Sequence, residues 1–269
     1  MTRAHRLVTL ALSGAAVLLA ACGGTDSSGA DTEASASPPA SAEDVSGDVA
    51  VFAAASLTEA FSEIGEAFQA ENPDAVVTFN FGASSALAQQ ITSGAPADVF
   101  AAASPATMAT VTDAGDAEGE PTVFVRNRLQ IAVPAGNPGN VTGLAEFADA
   151  ERTIALCAEQ VPCGAAANKA FAAAGITPAP DTLEQDVKAT VTKVELGEVD
   201  AALVYRTDVL AAGDEVEGMD FPEAARAIND YPIVTLAAAP NAEAARAFVA
   251  YVVSPDVLQV LEAAGFERP

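Results

Sequence analysis

The sequence predicts an α/β fold built on mainly parallel sheets with helices on both faces. Three observations lead there. From residue 48 onward, short apolar runs alternate with longer segments whose apolar residues recur at helical spacing. A second alternating set follows the long strand-like run "TVFVRNRLQIAVPAGNPG" at 122–139. Gly and Asn-Pro close several of the helical segments. Strands that alternate with helices are joined by crossovers, and crossovers make parallel sheets.

The elements follow in order. "VAVFAA" reads as a buried strand, and "LTEAFSEIGEAFQAEN" as a helix with apolar residues at 57, 61, 64 and 68. Asn72-Pro73 stops it. "AVVTFNF" is a second strand, and "SALAQQITSG" a helix ended by Gly94. "PADVFAAA" is a third strand, with a helix after it from about 105 to 114. Beyond the run at 122–139 come the strand "TIALC", a helix from about 163, a helix around 187–196 and the strand "AALVY". "YPIVTLAAAP" opens a closing segment with two amphipathic helices, near 241–252 and 255–264.

Residues 1–21 read as a targeting segment. Arg3 and Arg6 form a positive start, and "LVTLALSGAAVLLAA" is an apolar stretch too short for a confident membrane span. It runs into "LAAC" at 19–22, which resembles the lipobox of bacterial lipoproteins. That resemblance implies cleavage before Cys22, a lipid on its thiol and a body held outside the cytoplasmic membrane. An ordinary secretory signal is the alternative. Residues 22–47 are Gly, Ser, Ala, Thr, Pro and acids, the composition of a disordered tether.

Of the 269 residues, 12 are basic and 37 acidic, a formal charge of -25. Phosphate backbones need clustered Lys and Arg, so nucleic acid is not expected as a partner. Cleavage would remove two arginines, no acid and His5, the single histidine. A serine hydrolase needs a base beside its nucleophile, and the processed chain would have no histidine. "GASSA" is also not the G-x-S-x-G elbow. A metal-ion binding lipoprotein is a further alternative, since Tyr205, Tyr231 and Tyr251 could bind iron. The two cysteines after Cys22 are too few for a structural zinc site.

Hydroxyls sit where strands give way to helices. Ser56 does so in "VFAAASLTEAF", and Ser84 and Ser85 in "FGASSALAQQI". "EQVPCGAAANKAF" (159–171) and "EQDVKATV" (184–191) open helices in the same way. Helix starts offer unpaired N–H groups and a partial positive charge, so anions bind there. In open α/β sheets the carboxyl ends of strands also line the ligand crevice. The plain alternative is capping: Ser56-x-x-Glu59 fits a capping box, and Ser84 fits an N-cap. Tyr205, at a strand end, fits a packing residue equally well.

The segments "VFAAASLTEAF", "FNFGASSALAQQITSGAPADVFAAA", "VPCG", "EQDVKATVTKVELGEVDAALVYRTDV" and "AARAFVAYVVSPDVLQVLEAAGF" occur in this order. Together they resemble the periplasmic molybdate-binding proteins of bacterial ABC importers, over about 48–267. The resemblance implies a two-lobed periplasmic-binding-protein fold with a two-strand hinge. It implies no enzymatic activity and no cofactor. The ligand would be molybdate or tungstate, hydrogen-bonded and not coordinated through metal–ligand bonds. Sulfate or another oxyanion is the alternative within the class. The partners would be an ABC permease and its ATPase, with the binding protein a monomer on its lipid anchor.

Carried over by residue, Ser56 and Ser84 would supply hydroxyl and backbone donors, with Ser85 the rival of Ser84. Cys163 and Val187 would donate backbone N–H groups, and Tyr205 its phenol. Those donors split the chain into one lobe of 48–127 plus 233–269 and another of 128–232, with crossings near 126–129 and 230–233. With Cys22 lipidated, Cys157 and Cys163 remain in an oxidising compartment, and a disulfide between them is expected. Two free thiols, or a reactive Cys163 thiolate at the helix start, are the alternatives.

Overall fold

A computed structural model describes residues 45–269. The signal segment 1–21, the lipidation at Cys22 and nearly all of the tether lie outside the described residues. β1 (Gly47–Ala54) leads through a single 3-10 turn into α1 (Thr58–Glu71), and then come β2 (Ala75–Gly82), α2 (Ser84–Thr92), β3 (Val99–Ala101), α3 (Pro105–Asp113) and β4 (Thr122–Asn127). The chain continues with β5 (Leu129–Pro134), β6 (Ile154–Cys157), α4 (Pro162–Ala174), β7 (Thr182–Glu184), α5 (Val187–Glu195), β8 (Ala201–Tyr205), α6 (Arg206–Ala212) and β9 (Val216–Met219). It closes with β10 (Asn229–Thr235), α7 (Ala242–Val252) and α8 (Pro255–Ala263).

These strands form two five-stranded sheets, ordered β2-β1-β3-β10-β4 and β7-β6-β8-β5-β9. The expected mixed α/β fold with two lobes is what the chain adopts. In each sheet one strand runs against the rest: β10 is antiparallel to β3 and β4, and β5 to β8 and β9. The reason is directional. β5 and β10 are the strands that enter a sheet from the other lobe. They start where the parallel strands end, so they must run the opposite way.

Sequence pattern and structure part company at three places. The strand-like run at 122–139 is two strands in two sheets, divided at Arg128. Asn127 Oδ1 accepts the Arg128 N–H at 3.0 Å, which occupies the donor at the crossing. The pairing of β10 with β4 begins at Asn229, ahead of the apolar run "YPIVTLAAAP". Asn229 and Asp230 have no apolar signal. Asp230 instead holds Arg126 across the ladder at 2.6 Å, so the first-lobe ladder extends beyond its apolar part. Finally, β7, β9 and α6 are short and have no distinct periodicity to read.

Both faces of the first sheet are covered. Phe61, Phe68, Phe124 and Phe248 fill one side, and Leu87, Phe100 and Met108 the other. The second lobe packs Phe147, Phe171, Val191 and Leu203 in its own core. Asp98, from the "GAPAD" segment, is buried as a structural clip. Its carboxylate accepts the Ala50 N–H at 2.8 Å and the Asn241 N–H at 2.7 Å, tying β1 to the start of α7. Among the described residues no single helix is long and apolar enough to cross a membrane.

Candidate functional site

The carboxyl ends of strands from both sheets meet at one small cavity. Ala54, Ala55 and Ser56 line it from the end of β1, Gly82, Ala83 and Ser84 from the end of β2, and Ala103 from beyond β3. Val161, Pro162 and Cys163 face them from the start of α4, Asp186 and Val187 from the start of α5, and Tyr205 from the end of β8. All five residues expected at a ligand site, Ser56, Ser84, Cys163, Val187 and Tyr205, are therefore brought to one place. Ser85 is not among them. It lines a separate surface depression with Gln89 and Ser104.

The capping alternatives fail for both serines. The N-cap position of α1 is Leu57, and Ser56 bonds through Oγ to Tyr231 Oη at 2.8 Å. Ser84 is the first residue of α2, and its Oγ accepts the Ala103 N–H at 3.0 Å. Each hydroxyl oxygen makes a tertiary contact, which no local pattern reveals.

The cavity is electrically unusual. Among the described residues no Lys, Arg or His lines it. Its one charged lining residue, Asp186, is the N-cap of α5, and its Oδ1 accepts the Ala189 N–H at 2.8 Å. As residues in the first turns of α4 and α5, Cys163 and Val187 carry backbone N–H groups with no acceptor inside their own helices. Burial holds the Tyr205 phenol well above its ordinary pKa, with Tyr231 and Asp208 adding to the shift. Tyr231 is raised by burial as well. Both phenols keep their protons at neutral pH.

Cys157 and Cys163 form a disulfide with Cα atoms 5.8 Å apart, which excludes free thiols and a Cys163 thiolate. It closes the turn that carries the Cys163 N–H to the cavity. Replacing both cysteines by serine is expected to cost about 2 kcal/mol, since the closed loop is short. Chemical unfolding of the pair variant checks this, and mass spectrometry without reductant should find no free thiol in the parent protein.

Several residues near the cavity escaped the sequence reading. Asn127 Nδ2 donates to Thr207 Oγ1 at 2.8 Å and lies 3.4 Å from Tyr231 Oη. Asn229 Nδ2 reaches Tyr205 Oη at 2.7 Å. Lys188, on α5, ion-pairs with Glu59 of α1 across the lobes at 2.8 Å and stands 3.4 Å from the buried Asp208. The one available signal was the "VYRTDV" segment, whose Asp208 turns out to support Tyr205 and whose Thr207 accepts from Asn127. Asp208 Oδ2 accepts the Tyr205 N–H at 3.1 Å.

Two α/β lobes that enclose a cavity lined by backbone N–H groups and hydroxyls, with no basic side chain among the described residues, have the architecture of a protein that captures a small ligand. The chain belongs to the bacterial extracellular solute-binding proteins, whose family model matches residues 49–267. That family serves transport and is not enzymatic. The chain is 41% identical over 234 residues to the molybdate-binding protein ModA of Mycobacterium tuberculosis H37Rv, covering 87% of this chain and 90% of that one. It is 31% identical over 234 residues to the molybdate-binding protein ModA of Escherichia coli K12, covering 82% and 89%. Among solved structures, a substrate-binding domain assigned to a molybdenum ABC transporter of Clostridium difficile matches with a TM-score of 0.63 and 25% identity, over 82% of this chain and 99% of that one. The periplasmic molybdate-binding protein of Azotobacter vinelandii shares the fold, with a TM-score of 0.70 at 18% identity over 82% and 99%.

Proposed function

We propose that this protein captures molybdate, and tungstate equally well, in the cavity between its lobes and delivers it to an ABC importer from a lipid anchor at Cys22. The observation that carries the reading is a cavity walled by neutral donors from both lobes. Ser56, Ser84 and Tyr205 would offer hydroxyls, and Cys163 and Val187 backbone N–H groups. A dianion enclosed there must recover its lost hydration through hydrogen bonds. Each bond to a charged acceptor contributes about 1.5–3 kcal/mol, so five to seven suffice without a counter-charge. A buried Lys or Arg would instead attract any anion.

Size agrees with this ligand. The cavity offers about 20 Å³ to the centre of a water-sized sphere. Taken as a sphere and widened by a water's own radius, that is an overall radius of about 3 Å. One compact tetrahedral oxyanion fills such a space. The relatives named for molybdate support the choice among tetrahedral ions. The two lobes are read as rigid bodies that close by bending at Arg128 and at the segment between β9 and β10. The iron alternative loses support from Tyr251, whose hydroxyl bonds Glu71 at 3.1 Å on the outer side of the first lobe.

Calorimetry with molybdate, tungstate, sulfate, phosphate and ferric ion tests the proposal. Molybdate and tungstate should bind tightly and alike, because their size and charge are nearly equal. No heat with molybdate, or tighter binding of ferric ion, would overturn it. Ser56→Ala should weaken molybdate binding by about 1.5–3 kcal/mol, while the loss of its bond to Tyr231 costs the fold only about 1 kcal/mol. Titration and thermal melting of the same variant separate the two effects.

A further inference from the structure

Asn229 is buried at the first position of β10, where the chain re-enters the first lobe. Its Nδ2 lies 2.8 Å from the Ala103 carbonyl, 2.7 Å from Tyr205 Oη and 3.4 Å from the Pro162 carbonyl. Carbonyl oxygens only accept, so chemistry settles which end of the amide faces this way. An amide oxygen turned there would meet two carbonyls. The NH₂ group therefore spends its two protons on Ala103 and Tyr205.

This fixes a direction at Tyr205. A phenol oxygen that accepts from Asn229 sends its own proton elsewhere: toward the cavity that the residue lines, or toward the neighbouring Tyr231 hydroxyl, which Ser56 and Asn127 already engage. The same logic holds at Ser84, whose oxygen accepts the Ala103 N–H at 3.0 Å. Ala103 is thus held at both ends of its residue: its carbonyl by Asn229, its N–H by Ser84. One amide side chain reaches two of the proposed donors, Tyr205 directly and Ser84 through Ala103.

We infer that Asn229 is a positioning residue that holds the Tyr205 hydroxyl as a donor toward the cavity, and so sets a preference for fully deprotonated tetrahedral oxyanions over those that carry a proton. This rests on the oxyanion reading above. A hydrogen phosphate or hydrogen arsenate must place its O–H against an acceptor. With Asn229 in place, Tyr205 has no free reason to turn. With Asn229 gone, the Ala103 carbonyl loses its donor and becomes a competing acceptor for the phenol proton. Tyr205 can then rotate and present a lone pair to a protonated anion.

The test is a double-mutant cycle read by calorimetry, with phosphate and arsenate measured by competition against molybdate. Asn229→Leu keeps the side-chain volume and removes the amide. It should lower molybdate affinity about tenfold and shrink the molybdate-to-phosphate preference by at least that factor. In a Tyr205→Phe background the same substitution should change molybdate affinity by less than about twofold, because its target is gone. If the leucine variant does not fold, Asn229→Ala is read in the same way. Equal weakening of molybdate and phosphate, or an undiminished effect in the Tyr205→Phe background, would make Asn229 a merely structural residue and overturn the inference alone. A parent protein that binds none of these oxyanions would overturn both this inference and the function proposed above.

Discussion

Gly164→Ala should cost the fold about 3 kcal/mol and weaken ligand binding more than tenfold. A Cβ at residue 164 would lie 2.0 Å from the Ala158 carbonyl oxygen, 2.6 Å from its carbon and 2.7 Å from the Cys157 oxygen. All three are backbone atoms, so no side chain can swing aside. The Ala158 carbonyl is also committed, accepting the Val161 N–H at 3.1 Å. The disulfide between Cys157 and Cys163 spans the same turn and blocks an easy shift of α4. Either the turn opens or α4 moves outward, and both displace the Cys163 N–H from the cavity wall. For a body of this size each kcal/mol moves the melting temperature by about 2–4 °C, so a fall of about 6–12 °C is expected. Thermal melts and molybdate titration check it. An unchanged melting temperature would show that the turn yields at little cost.

Lys188→Met should destabilise the protein strongly at pH 8 and little at pH 5. Asp208 is fully buried, and burial pushes its carboxyl up to about 6 from 3.8, against the lowering by Lys188 and the Tyr205 N–H. The Glu59 side of the Lys188 pair adds little, because that carboxylate is half exposed. Removing Lys188 leaves Asp208 as a buried charge without its cation, and breaking such a pair costs about 3–5 kcal/mol. Its pKa then rises further. A group held above its unfolded pKa favours the fold fully below the unfolded value, and that advantage is lost as pH climbs through the folded value. At pH 5 Asp208 of the variant is neutral and the missing lysine matters less. The stability gap between parent and variant should therefore widen from pH 5 to pH 8, read from urea midpoints at the two pH values. A gap of constant size would show that Lys188 acts through packing and not through the Asp208 charge.

The alternation of strands and helices, the strand-to-helix junctions and the residues at them were all legible in the chain. A strand followed at once by a helix fixes where an N–H points, whatever the rest of the fold does. The local pattern showed the helix starts at which Cys163 and Val187 sit, and the family resemblance named those two residues, whose expected part is played by backbone. The disulfide was legible because only two cysteines remain after Cys22, and they lie six positions apart in the chain. The edge strands β7 and β9 were not legible. At three and four residues they are too short to show alternation.

What the sequence by itself determined was the class of fold, the family resemblance and the set of helix starts. These depend on periodicity and on contacts between near neighbours in the chain. Only the tertiary structure decided what the hydroxyls touch. Ser56 meets Tyr231 from 175 positions away, Asn127 meets Thr207 from 80, and Asn229 meets Ala103 from 126. Both asparagines sit beside the crossings between the lobes, and neither belongs to the apolar pattern that marks its strand. A side-chain hydrogen bond has no period and no sequence spacing, so its partner becomes known only when two distant strand ends are packed against each other.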